Sequence, residues 1–412
     1  MLSWRSGSRA LISREGLSLD PVAAFIEPRH RELRERVRAF CREEIGVGRH
    51  EGDGEAADGS DSRGRRDPDD DAEARVRARE LVGLMGAAGL FAPIAEGDVR
   101  GCLVAREVLA WWSPLADAVF ALQGLSATPV LVVGRDPGGW AARAVAGDAM
   151  GAFAMTEREA GSDVASMTTR AVRDGDGYVL DGAKSFISNA GVADFHVVFA
   201  ATDPEAGTRG ISCFVVPADA DGFEFAGAQV MSAPHPLGEL RFEGCRVGAD
   251  AMLGDEGAGF KTGMATLDRL RPTVAAGACG MAGRALWEAV RHARRREQFG
   301  RTLSSFQLVQ EKLAVSATEL TAGRLLTYRA GWEKDRGAER ITMEAAMAKS
   351  FATEAAQRIV DRAVQVLGGR GVVGDHPVDR LYRAVRALRI YEGTTEIQHL
   401  IIGGGLVRDS GR

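Results

Sequence analysis

The strongest constraint on how this chain can fold is a change of hydrophobic period about a third of the way along it and a change back a hundred residues later. Up to about residue 150, stretches such as "RHRELRERVRAFCREEI" and "ARVRARELVGLMGAAGL" repeat apolar residues at three- and four-residue steps, the period of amphipathic helices. Between about 151 and 250 the texture becomes strand-like. "TTRAVRDGDGYVLDGAKSFIS" holds two extended runs hinged at Asp-Gly pairs, and "FHVVFAAT", "ISCFVVP" and "GELRFEGCRV" follow. From 256 the helical period returns in longer pieces, roughly 258–296, 304–335, 342–368 and 394–407, with Pro272 expected to kink or break the first. The pattern implies an α+β fold: an N-terminal helical domain over 20–150, a middle antiparallel β domain over 151–255 and a C-terminal helical bundle over 256–412.

Two segments fall outside that scheme. Residues 1–19 begin "MLSWRSGSRALISR", basic and serine-bearing but without a long apolar core, and are read as a disordered extension. Residues 51–73, "EGDGEAADGSDSRGRRDPDDDAE", contain no large hydrophobe and are read as a disordered acidic insert, since they cannot bury enough apolar surface to offset their ordering entropy.

Composition narrows the function classes. A net charge of −5 gives no general attraction to nucleic acid or anionic lipid. No apolar run reaches the length of a membrane span, so neither a nucleic acid nor a membrane is expected as partner. The five cysteines (Cys41, Cys102, Cys213, Cys245, Cys279) and seven histidines are scattered without metal-ligand spacing. That suggests reduced core thiols, a cytoplasmic location and no metal site.

Three glycine-containing stretches could meet phosphates or heterocycle edges: "TEREAGSD" (156–163), "VLGGRG" (366–371) and "YEGTT" (391–395). None is a dinucleotide fingerprint or a Walker loop, and each alone reads equally as a helix cap or turn. Glu392 lies between an arginine-dense segment and the apolar "IQHLII". Its local reading is a capping acid, because Thr395 and Gln398 have the spacing of a capping box and Glu396 suits a first helical turn.

Taken together, "FAMTEREAGSD", "GAKSFISNAG", "DRLRPTVAAGACG", "RRREQFGRTLSSFQ", "QVLGGRG" and "YEGTTEIQ" occur in an order and at spacings that resemble the acyl-CoA dehydrogenase family, over roughly residues 20–410. The resemblance implies FAD-dependent α,β-dehydrogenation of an acyl thioester, with Glu392 as the base that takes the α-proton. It implies that Thr156, Ser162, Phe186 and Ser188 meet the flavin. Arg296, Gln298, Phe299 and Gln307, with Gln365, Gly368 and Gly369, would hold the FAD of a neighbouring subunit, and Thr394 and Glu396 would approach from the final helix. Asp268, Arg271 and Gly393 would border the substrate. A homo-oligomer, dimer or tetramer, follows, as does an electron-transfer flavoprotein or oxygen as acceptor.

The implied substrate is an acyl-CoA or an acyl group on a carrier protein. An oxidase is the nearest alternative, and a flavin-bearing protein that binds DNA or a partner is the rival from another class. Some relatives place the base at the position matching Leu270, which is apolar here. The stretch "FAPIAEGDVRGCLVA" is shorter than the corresponding family segment, which borders the acyl pocket.

Overall fold

The computed structural model describes residues 11–46, 70–374 and 376–409. Most of the insert lies outside them, but its last residues do not: Asp70 caps helix α2 (Asp71–Ala87), its carboxylate accepting the Glu73 N–H. The expected disordered extension needs a larger correction. Residues 12–13 (β1) and 16–17 (β2) form a small antiparallel hairpin, and Leu17 and Leu19 are buried. A Cβ at Gly283 would meet the Leu17 side chain at 2.8 Å, so this hairpin seats against the long helix that carries Gly283.

The N-terminal helical part continues with α1 (Pro28–Phe40), α3 (Ala92–Glu96), α4 (Val99–Trp112), α5 (Pro114–Val133) and α6 (Trp140–Ala146). The shortened stretch passes from α3 through Gly97, in the left-handed region at φ +67°, directly into the Asp98 cap of α4. Ser113 caps α5, with Pro114 in its first turn. By length and composition α5 could cross a membrane, contrary to the expectation of no such run, but 67% of its apolar window is buried inside the protein.

The middle part is a seven-stranded sheet: β3 (Gly151–Ala154), β4 (Arg170–Asp174), β5 (Gly177–Ser188), β6 (Phe195–Ala201), β7 (Ile211–Pro217), β8 (Phe223–Ala228) and β9 (Leu237–Gly248). Its order is β3-β6-β4-β5-β9-β8, with β7 on β6. The sheet is mainly antiparallel, as expected, yet β6 runs parallel to both β3 and β4. Its two faces serve different cores. Phe195, Val197 and Phe199 join the N-terminal helices, while Val198, Phe214 and Phe242 form a core of the sheet itself. All five cysteines are buried and free.

The C-terminal part is built on α7 (Gly259–Arg295), with α8 (Gln307–Asp335), α9 (Thr342–Leu367), α10 (Pro377–Val385) and α11 (Thr395–Asp409) around it, and a two-strand hairpin, β10 (Glu297–Gln298) and β11 (Arg301–Thr302), between α7 and α8. Pro272 does not end α7, which runs through it. Small residues let α7 lie close to its neighbours. A Cβ at Gly280 would stand 2.3 Å from the Glu107 carbonyl of α4, so only glycine permits that approach.

Candidate active site

The segment between α10 and α11 makes a turn that a non-glycine residue enters only at a cost: Glu392 has φ +54° and Gly393 φ +91°. Four hydrogen bonds hold it, all to carbonyl oxygens. Arg271 Nε and Gln398 Nε2 donate to the Glu392 carbonyl at 3.1 and 3.4 Å. Lys349 Nζ and Gln398 Nε2 donate to the Gly393 carbonyl at 2.7 and 2.9 Å. Arg271 is aimed by Asp268, which accepts from Arg271 Nη1 at 2.7 Å and from the Thr342 hydroxyl at 2.6 Å. Asp268 and Arg271 therefore reach the site through the backbone of the turn.

This arrangement corrects the capping expectation. Thr394, one residue earlier than expected, caps α11 by accepting the Ile397 N–H at 3.3 Å. Thr395 donates instead to Glu354, and Gln398 is committed to the turn. Glu396 sits exposed in the first helical turn, as expected.

The Glu392 carboxylate is treated differently from its backbone. The residue as a whole is half-buried, but Oε2 is sealed from solvent and has no hydrogen-bond partner among the described residues. Burial pushes the carboxyl pKa up; the cations Arg106, Lys349 and Arg271 pull against the rise and Asp117 adds to it. Arg106, on α4, is fully buried. It forms a two-pronged ion pair with Asp117 of α5 at 2.7 and 2.8 Å and donates to the Thr273 hydroxyl of α7 at 2.9 Å. Sequence reasoning missed Arg106, Asp117, Thr273, Lys349 and Gln398. A signal existed for Lys349, a lone charge in the small apolar run "AAMAKSFA"; Arg106 and Asp117 lie on different helices and share no motif.

A second group gathers on the sheet. The loop after β3 carries Thr156 and Ser162 and is fixed through the neighbouring Glu157. The Glu157 carboxylate accepts from Lys184 at 2.8 Å, from the Thr168 N–H and hydroxyl at 2.6 and 2.8 Å, and from the Thr169 N–H at 3.0 Å. Although burial works to raise it, these partners, Lys184 first, hold Glu157 at a pKa of about 2, while burial lowers Lys184 to about 8. Both values leave the pair ionised at neutral pH.

Phe186 sits at a register shift in β5 with φ +58° and 56% of its surface exposed. Its N–H donates to Gln229 Oε1 at 2.7 Å, and Ser188 Oγ lies 2.7 Å from His235 Nε2. An aromatic side chain held outward at a strained position beside half-buried hydroxyls at Thr156 and Ser188 fits one wall for a flat heterocycle such as a flavin.

The third group is on the outer surface. Phe299, at the tip of the β10–β11 hairpin, has φ +53° and is 93% exposed. Arg296, Gln298 and Gln307 around it, and Gln365, Gly368 and Gly369 at the end of α9, are exposed too. Leu270 is buried with Leu125 and Leu267 in a small apolar cluster.

Comparison with known proteins bears on the family and the fold. Residues 152–245 match the acyl-CoA dehydrogenase middle domain, and residues 257–407 match its C-terminal domain. The chain is 41% identical over 342 residues to a 3-(aryl)acrylate reductase of Clostridium sporogenes, covering 80% of this chain and 90% of that one. It superimposes on butyryl-CoA dehydrogenase from Megasphaera elsdenii with a TM-score of 0.82 at 31% identity, over 93% of this chain and 99% of the other. A glutaryl-CoA dehydrogenase from Mycobacterium smegmatis in complex with FADH2 gives a TM-score of 0.82 at 27% identity, over 96% and 98%. This chain belongs to the acyl-CoA dehydrogenase family of flavin-dependent oxidoreductases.

Proposed function

We propose that the protein dehydrogenates a short acyl-CoA to the trans-2-enoyl thioester, with Glu392 as base. The observation that carries this reading is the sealed, unpartnered Oε2 of Glu392 on a turn whose backbone is clamped from three sides. A carboxylate in water is too weak a base for an acyl α-proton, and burial strengthens it. The clamps fix its direction, and the backbone N–H of Glu392 grips the thioester carbonyl, stabilising the developing enolate. Bound FAD supplies the acceptor for the β-hydride.

The cofactor is held by Thr156, Ser162, Phe186 and Ser188 of one subunit. Arg296, Gln298, Phe299, Gln307, Gln365, Gly368 and Gly369 of a neighbour complete its cradle, with Thr394 and Glu396 from the start of the final helix. The exposure of Phe299 supports this sharing, because a strained, bare aromatic ring gains stability only when something covers it. The short substrate is supported by the likeness to butyryl-CoA dehydrogenase. Electrons leave to an electron-transfer flavoprotein.

The name of the Clostridium relative favours a second reading, in which the same groups work in reverse and Glu392 returns a proton to the α-carbon of an enoyl group. Glu392→Gln tests both. FAD should stay bound while single-turnover flavin reduction by butyryl-CoA falls by about 10²–10⁴, the range for a general base. Near-normal reduction would remove Glu392 from either reading.

A further inference from the structure

A second buried charge stands behind the Glu392 turn without a partner of its own. Lys349 has no exposed surface, and its hydrogen bond is to an uncharged atom, the Gly393 carbonyl at 2.7 Å. Among the described residues no carboxylate oxygen lies within ion-pair distance of it. A buried ammonium in that state is costly unless an anion nearby balances it.

The other anions around it are already taken. Asp268 pairs with Arg271, Asp117 with Arg106, and Glu354 with Arg389 at 2.7 Å and the Thr395 hydroxyl at 2.8 Å. Glu396 is exposed. Among the described buried groups around the turn one anion and one cation remain, Glu392 and Lys349, whose charges act on each other.

We propose that Lys349 is a positioning residue for the reaction: it holds the Gly393 carbonyl and serves as counter-ion to Glu392 across the turn, keeping that carboxylate ionised although nothing bonds it. The inference rests on the reading of Glu392 as base. It explains how Oε2 stays both unbonded and charged. A direct ion pair would quench the base, whereas a cation bonded to the Gly393 carbonyl supplies charge without occupying a carboxylate lone pair.

Charges from every side bear on the couple. Burial is the largest influence on Lys349 and lowers its pKa to about 8; Arg271 lowers it further, while Glu392, Glu354 and Glu396 favour the ammonium. Arg106 and Asp117 face Glu392 from α4 and α5. Loss of the Lys349 charge should therefore raise the Glu392 pKa.

The test is the pH titration of Glu392 in the flavin-loaded protein, followed by the infrared carbonyl band of its protonated form with Glu392→Gln as the blank. Single-turnover reduction by butyryl-CoA is measured across the same pH range. Lys349→Met should move the titration midpoint, and the acid limb of the rate, upward by about one pH unit or more, the usual effect of removing a nearby opposite charge. Lys349→Arg should bring both back toward wild type. Lys349→Gln, which keeps a donor for Gly393 but no charge, should shift like Met, and it decides the matter if the Met variant fails to fold.

A folded Gln variant with an unmoved midpoint overturns the proposal, as does an Arg variant that shifts as far as Met. The two readings fail separately. Reduction lost in Glu392→Gln with an unmoved midpoint in the Lys349 variants sinks only the charge couple. Reduction retained in Glu392→Gln with a moved midpoint sinks only the base.

Discussion

Gly393→Ala is the smallest change that should disable the site, and the structure sets its size. Two costs add. Alanine at φ +91° is strained in the left-handed region by about 1–2 kcal/mol. Its Cβ would also stand 2.6 Å from Gln398 Nε2, too close for any real contact, so Gln398 must withdraw. Withdrawal breaks that amide's bonds to the Glu392 and Gly393 carbonyls, each worth about 0.5–1.5 kcal/mol. The sum is about 2–5 kcal/mol, with Arg271 and Lys349 still holding the turn. Relieving the contact moves the backbone or the amide by about 1 Å, and a displacement of that size in a catalytic group costs on the order of 10²-fold in rate. Urea unfolding of the flavin-loaded protein and single-turnover reduction read the two effects. The decisive comparison is Gly393→Ala in a Gln398→Ala background, where only the backbone cost of about 1–2 kcal/mol should remain. Equal destabilisation in both backgrounds, or a wild-type rate in the single variant, would refute the account of the turn.

Further outcomes follow from other parts of the site. Lys184→Met leaves the Glu157 carboxylate buried without its cation, so it should destabilise the protein by about 3–5 kcal/mol and release flavin first, read as flavin loss during urea titration. Glu157 has a folded pKa of about 2, depressed from 4.5, so its stabilisation is fully present above about pH 4.5 and is lost as pH falls toward 2; Glu157→Gln should flatten acid unfolding in that window. Glu392→Gly should be nearly inactive, and adding Leu270→Glu should restore part of the single-turnover rate. A double variant that binds FAD and substrate without recovery would show that Leu270 does not face the α-carbon.

The parts legible in the sequence were those set by local period and chain-order motifs. The three blocks follow from runs of period 3.6 and 2, and α8 and α9 fall within a few residues of their expected bounds. Long-range packing governed the rest. Proline removes only one hydrogen bond from α7, the one to the Asp268 carbonyl, and a helix buried along most of its length from Gly259 to Ala293 tolerates that loss. The hairpin at 12–17 is too short to show a strand period, and it is ordered by Leu17 meeting α7. The doubled Thr394-Thr395 left the cap ambiguous by one residue, and the pull of Glu354 on Thr395 decided it. Arg106 and Lys349 each resemble an ordinary helix charge until the fold brings 106, 117, 271, 349 and 392 together.

That convergence separates two demands that usually conflict. A base must be held still, and holding a carboxylate through its own oxygens makes it weaker. Here every bond to the turn falls on a carbonyl of residue 392 or 393, from α7, α9 and α11. The positive φ at Glu392 is the conformational consequence, tolerated because four hydrogen bonds from three side chains over-determine it. Position is thus fixed through the backbone and basicity through burial, with Arg106, Arg271 and Lys349 keeping the buried carboxyl within reach of ionisation. Loss of a clamping hydrogen bond should therefore act first on the rate at all pH values, and loss of the Lys349 charge on the pH at which the rate appears. The division of labour predicts that Gln398→Ala lowers the plateau without moving the acid limb, whereas Lys349→Gln moves the limb by more than it lowers the plateau.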